Sequence, residues 1–201
     1  MLRLYGSARS RALRNIWMLN ELGLDYEHTN WMPRSPETKT QEFRALNSGG
    51  AVPVLDDNGF ILSESMAINF YLAKKHGSDL YPSDLQREAL ALQWCLWETD
   101  KLDRAIVNHG RHSADLPETE RDPAIAQAAW QDCVQSFQVL NIALEKSDWL
   151  VGPTFTVADL NVASAMFRAL VLDLSQWPKT KDWFNRCWDR PAAQKAKAMR
   201  S

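Results

Sequence analysis

Cysteine is absent from the first 94 residues of this 201-residue chain. The three it has, Cys95, Cys133 and Cys187, are widely spaced, odd in number and without a C-x-x-C pair. That argues against a disulfide framework and against a cysteine zinc site, so no metal is expected. No apolar run reaches the roughly 18 residues that mark a membrane span. The opening MLRLYGSARSR has no apolar core of the kind that an export signal carries. Neither sign of charge dominates: 23 Lys and Arg face 25 Asp and Glu, a formal net charge of −2. A basic footprint for nucleic acid or an anionic membrane is therefore missing. These absences predict a cytoplasmic protein with neither nucleic acid nor membrane as a partner.

What is present is an ordinary soluble composition, 45% apolar and 24% charged, on a chain long enough for two modest domains. Tryptophan stands out, with nine residues, seven of them after residue 90. They are expected as large core and interface side chains, the alternative being aromatic walls of a ligand pocket.

The two halves carry different periods. In the first 77 residues, LRLY reads as a strand and SRALRNIWMLNELG as a helix, with Gly23 suited to its C-cap. DYEHTNW reads as a second strand, and residues 39 to 46 as a short helix or irregular loop. VPVLDDNGFILSE reads as a hairpin turning at Asn58 and Gly59. SMAINFYLAKKHG follows as a helix, apolar at Ile68, Tyr71 and Leu72 and closed by Gly77. The order β-α-β-(α)-β-β-α predicts an α/β domain with a small mixed sheet. After a linker over residues 78–85, strand signals vanish. Residues 86 to 115 form a long helical pattern. Ala126, Trp130, Cys133, Phe137, Leu140 and Leu144 make one helical stripe, and Leu160, Ala163, Phe167, Leu170 and Leu174 repeat it. Thr156 and Asp159 in FTVADL fit an N-terminal capping box.

One stretch asks for more than folding. Val52, Pro53 and Val54 place a proline inside an apparent strand, although proline cannot donate to a sheet ladder. Ser65 stands at a helix start, where free N–H groups favour an anion. Tyr5, Ser7 and Ser10 crowd the first strand-helix junction with hydroxyls.

Four pieces, LYGSARSRALR, LNSGGAVPVL, SES and FTVADLNVA, fall in the order and spacing of the cytosolic glutathione transferases. On these pieces the whole chain resembles that family. The resemblance implies a thioredoxin-like glutathione-binding domain over residues 1–77. It also implies an all-helical domain over residues 86–201 that forms the electrophile pocket. Activity would be conjugation of the glutathione thiolate to hydrophobic electrophiles, by a homodimer. Alternatives are glutathione-dependent reduction of peroxides or disulfides, and non-catalytic ligand binding.

The resemblance also implies roles. Val52-Pro53 would be a cis peptide, leaving the N–H and C=O of Val52 to pair with glutathione's backbone. Ser65 would hold the γ-glutamyl carboxylate, Glu64 the α-amino group and Lys39 the glycine carboxylate. Ser48 and Ala51 depart from the family's usual residues there. A thiol of pKa about 8.5 is only about 3% ionised at neutral pH, so a donor must stabilise the thiolate. Among the three hydroxyls the serine-type pattern points to Ser10, four places after Gly6. Its proton is expected to be available to sulfur while its oxygen caps the helix. Trp31, Trp97, Lys101, His109 and His112 are candidates to line the electrophile pocket.

Overall fold

The computed structural model describes residues 1–76 and 79–200 of the chain. They fall into two compact units, Met1–Tyr81 together with Trp188–Ser201, and Pro82–Cys187.

In the first unit, β1 (Leu2–Tyr5) lies between β2 (Tyr26–Thr29), which is parallel to it, and β3 (Val54–Asp57), which is antiparallel. The strand β4 (Phe60–Ser63) completes the order β2-β1-β3-β4. Asn58 and Gly59 both take positive φ, 53° and 92°, as the tight turn of the β3-β4 hairpin requires. Leu4 pairs with Leu55 on one face, and Tyr5 with Val54 on the other. All four are buried, so the sheet is covered on both sides. Phe43, from the short helix α2 (Gln41–Leu46), packs with Tyr5 and Val54. Two longer helices, α1 (Ala12–Glu21) and α3 (Ser65–Lys75), pack against each other. The expected stop at Gly77 lies outside the described residues.

Every residue of α1 from 12 to 19 is buried. Such a helix has more apolar surface than one sheet can cover. The remainder is covered by the C-terminal segment. Trp188 packs on Trp17 with ring centroids 4.8 Å apart, and α9 (Pro191–Ala198) lies along α1. Arg190 binds Glu21 through both carboxylate oxygens, at 2.6 and 2.8 Å. The compact helical unit therefore ends at Cys187, whereas the sequence suggested one helical domain to residue 201.

The second unit opens with one helical run, α4 (Leu85–Trp97) and α5 (Asp103–Gly110). Each is followed by a π-helical turn, Glu98–Leu102 and Arg111–Asp115. Asp122 caps α6 (Pro123–Ala143), where Cys133, Phe137 and Leu140 of the expected stripe are fully buried. The next stripe holds only in part. The helix α7 (Val157–Ala165) is buried all round and gives way to a tighter 3-10 segment at Met166. Met166 and Ala169 turn inward there in place of Phe167 and Leu170. The capping box of α7 forms. Asp159 accepts from Thr156 N at 2.9 Å, Leu150 N at 2.8 Å and the α8 (Pro178–Trp188) indole of Trp183 at 2.9 Å.

Candidate active site

Residues 6–10, between β1 and α1, fold into a tight hydroxyl-bearing loop. Gly6 has φ +131°, a conformation that side chains disfavour. A Cβ there would lie 3.0 Å from the Cβ atoms of both Ala12 and Val52. Only glycine lets α1, the loop and the segment before β3 approach this closely. Ser7 N–H donates to Trp31 O at 2.7 Å, and Ser7 Oγ accepts from Arg9 N–H at 3.2 Å. Ser7 O accepts from Ser10 N–H at 2.9 Å and from the Ser10 hydroxyl at 2.7 Å. Ser10 Oγ in turn accepts from Ala12 N–H at 3.1 Å.

Two sequence expectations change here. The residue at the N-cap of α1 is Arg11, with Ser10 one step before it. More important, the Ser10 proton is already engaged by a carbonyl, so it reaches another acceptor only by leaving Ser7. Tyr5 is placed differently from both serines. Its ring packs against Trp31 and Phe43, and its hydroxyl oxygen accepts from Arg3, two residues back on the same strand.

The Val52-Pro53 peptide is cis. Pro53 is buried and Val52 half-buried against the Tyr5 cluster. No described residue pairs with the N–H or C=O of Val52. An unpaired rung beside a sheet is a docking edge for an extended peptide. The loop leading to it is fixed by Gly50, where a Cβ would meet Thr38 O at 2.8 Å. That contact brings up the 3-10 turn Glu37–Lys39, whose Lys39 is exposed.

Ser65 is the first residue of α3, and the N-cap is Glu64. Glu64 is exposed and has φ +69°, rare for a non-glycine residue. Ser65 is buried and its Oγ accepts from Arg14 Nη1 at 3.3 Å. Asn15 Nδ2 donates to Ser65 O and to Asn69 Oδ1, each at 2.8 Å. Asn69 Nδ2 donates to Arg14 O at 3.3 Å. This buried polar network ties the start of α3 to α1, and no helical period announces it. Arg14, Asn15 and Asn69 sit in helical stretches where polar residues ordinarily face water.

Contacts to α1 and its loop thus gather Ser10, Val52, Pro53 and Ser65 in the first unit, with Glu64 beside Ser65. Lys39 joins them only through the Gly50 loop. Residues 1–74 match the family described as glutathione S-transferase, N-terminal domain, and residues 110–191 its C-terminal domain. Glutathione S-transferase GstB of Escherichia coli (strain K12) is 30% identical, covering 97% of both chains. The chain belongs to the glutathione S-transferase family.

The solved theta class glutathione S-transferase from Xanthomonas axonopodis pv. citri, with glutathione bound, superposes with a TM-score of 0.90. It is 28% identical, over 97% of this chain and 96% of its own. The glutathione S-transferase from Pseudomonas fluorescens [Pf-5] is 29% identical with a TM-score of 0.83, over 95% and 96% of the two chains.

The candidates for the electrophile pocket have more ordinary surroundings in this transferase. Trp31 belongs to the Tyr5 cluster, and Trp97 packs edge-on against Trp94 with centroids 5.1 Å apart. Lys101 is exposed and paired with Asp100 at 2.8 Å. His109 rests on Trp130, and His112 Nδ1 accepts from Asp122 N–H. Among the described residues no group of three His, Cys, Asp or Glu side chains could hold a metal ion. No helix among them is long and apolar enough to cross a membrane.

Proposed function

We propose that this glutathione S-transferase binds glutathione in its first unit and joins the thiolate to hydrophobic electrophiles of detoxification chemistry. The enzyme uses glutathione as co-substrate. One observation carries the reading: Val52, whose N–H and C=O have no partner among the described residues, packs beside Gly6, in the loop that bears Ser10. Val52 supplies the strand-like rung for the cysteine backbone of glutathione. Ser65 and the N–H groups opening α3 hold the γ-glutamyl carboxylate, Glu64 faces the α-amino group, and Lys39 faces the glycine carboxylate. Ser10 donates to the thiolate. Sulfur then attacks an electrophilic carbon, a C–S bond forms, and the leaving group departs with its electron pair. In addition reactions the electron pair stays on the acceptor and is later protonated.

A glutaredoxin-like cycle would need a protein thiol near the site, and all three cysteines are buried in helices of the second half. The homodimer belongs to the same proposal. Leu85, Leu92 and Leu96 lie seven and four residues apart on one face of α4 and are exposed, as an uncovered interface would be. A cytoplasmic location fits the same reading.

The test is titration of bound glutathione by its thiolate absorbance near 240 nm, together with turnover of an aryl halide. Binding with a lowered thiol pKa and conjugation of the halide is the expected result. Binding without either would leave a ligand carrier, and turnover of disulfides alone would leave a reductase.

A further inference from the structure

The loop over residues 6–10 has three successive carbonyls, of which the middle one is taken from within the loop and the outer two from outside it. Gly6 O lies 2.8 Å from His28 Nε2, on β2. A carbonyl can only accept, so that nitrogen carries the proton and the bond fixes the imidazole's donor. Ser7 O receives both bonds from Ser10. Ala8 O accepts from Arg200 Nη1 at 3.0 Å, from the segment that follows α9. The peptides on either side of the Ser7 carbonyl are thus held from outside the loop, by an imidazole and a guanidinium.

The direction of the Ser7 carbonyl sets where the Ser10 hydroxyl sits. Gly6 lacks the side chain that would restrict rotation of its peptide. Its N–H is tied to Thr29 O at 2.8 Å, so both its backbone groups are answered by β2. Removing the His28 donor releases the peptide just where the loop touches Val52 and Ala12. Removing Arg200 releases the far side. A small shift in either would move the hydroxyl away from a sulfur that it must meet within hydrogen-bond distance.

We propose that His28 and Arg200 are positioning residues that aim the hydroxyl loop of residues 6–10 at the glutathione sulfur. The inference rests on the reading above that this loop supplies the thiolate's donor. Neither residue touches glutathione in this proposal; both act through carbonyls.

The experiment compares wild type with His28→Leu, His28→Gln, Arg200→Leu, Arg200→Lys and Ser10→Ala. Thermal midpoint, bound-thiol pKa, and kcat and KM for an aryl halide are measured on each. The leucine variants should raise the bound-thiol pKa and lower kcat by roughly twofold to fivefold, no more than the loss of the Ser10 bond itself. The KM for glutathione should change less. The glutamine and lysine variants keep a donor and should recover most of the loss. Should His28→Leu not fold, His28→Asn, too short to reach Gly6, makes the same comparison.

Folded leucine variants with unchanged pKa and kcat would overturn the inference, even if their thermal midpoints fell. If Ser10→Ala raises the pKa and the leucine variants do not, this inference alone fails. If Ser10→Ala is silent while the leucine variants raise it, the loop is positioned as stated and its donor is another hydroxyl.

Discussion

Replacing Ser10 by alanine should raise the pKa of bound glutathione by about 0.7 unit, and the size of that number tests the geometry. In the structure the Ser10 proton is donated to Ser7 O at 2.7 Å. Stabilising a thiolate therefore exchanges one hydrogen bond for another. A neutral bond contributes about 1 kcal/mol and one to a charged acceptor about 2. The net gain is about 1 kcal/mol, which at about 1.4 kcal/mol per unit is about 0.7 unit, a roughly fivefold change in acidity. A serine whose proton were idle would give the full bond, about 1.5 units or more. The opening of α1 supplies up to about 1 kcal/mol besides, and this survives the substitution. The assay is absorbance near 240 nm against pH with saturating glutathione, for wild type, Ser10→Ala and Tyr5→Phe. Tyr5→Phe should leave the curve in place, because its hydroxyl sits beside Arg3. An unchanged pKa in Ser10→Ala would refute the assignment of the donor. A rise of about 1.5 units or more would refute the exchange with Ser7.

Gly6→Ala should cost about 2 kcal/mol or more and abolish retention on a glutathione matrix, since its Cβ would meet Ala12 and Val52 at 3.0 Å with φ +131°. Wild-type retention with an unchanged denaturation midpoint would contradict this. All three thiols are buried, and burial, with Asp132 nearby, pushes Cys133 up to about 12. A thiol reagent at neutral pH should label the native enzyme slowly and the urea-unfolded chain at all three sites. The bond from the Lys75 ammonium, with help from Tyr71 and Asn58, holds the Asp57 carboxyl below its ordinary range. On acidification the unfolded chain takes up that proton first, so stability declines from about pH 5 and is lost through the lower folded pKa. Asp57→Asn should flatten this part of the acid profile in urea titrations. Asp159→Ala strands the buried N–H groups of Thr156 and Trp183 and the half-buried one of Leu150, and should cost about 3 kcal/mol or more, read as the urea midpoint.

Local chemistry made much of the fold legible. The Asn58 and Gly59 turn, the α6 stripe and the Thr156 capping box each depend on residues close in sequence, and each is present. The cis Val52-Pro53 bond is present as the family resemblance implied. What stayed hidden depends on partners distant in the chain. Arg14, Asn15 and Asn69 are buried because Ser65 needs holding, which no helical period announces. The segment from Trp188 joins the first unit because α1 is buried all round, a property of its surroundings as much as of its pattern. The positive φ of Glu64 follows from the chain's entry into α3, and glutamate gives no hint of it. The π-helical turns after α4 and α5 likewise leave the 3.6-residue pattern looking unbroken over residues 86 to 115.

The hidden contacts share one helix, and that explains how a site with so few functional side chains can be exact in geometry. Ser10 leads into α1, Arg14 and Asn15 on its first turn hold Ser65, and Glu21 at its end is clamped by Arg190. Trp17, Ile16, Met18 and Leu19 are fully buried, and each such side chain contributes about 1.5–3 kcal/mol to folding. A helix fixed on every side does not shift as a lever when substrate arrives. The hydroxyl loop at its start and the serine held on its flank therefore keep their spacing in the free enzyme. In the proposed site the ordering cost is then met during folding, not during binding, so a switch of the Ser10 hydroxyl from Ser7 O to sulfur would be felt as thiol acidity.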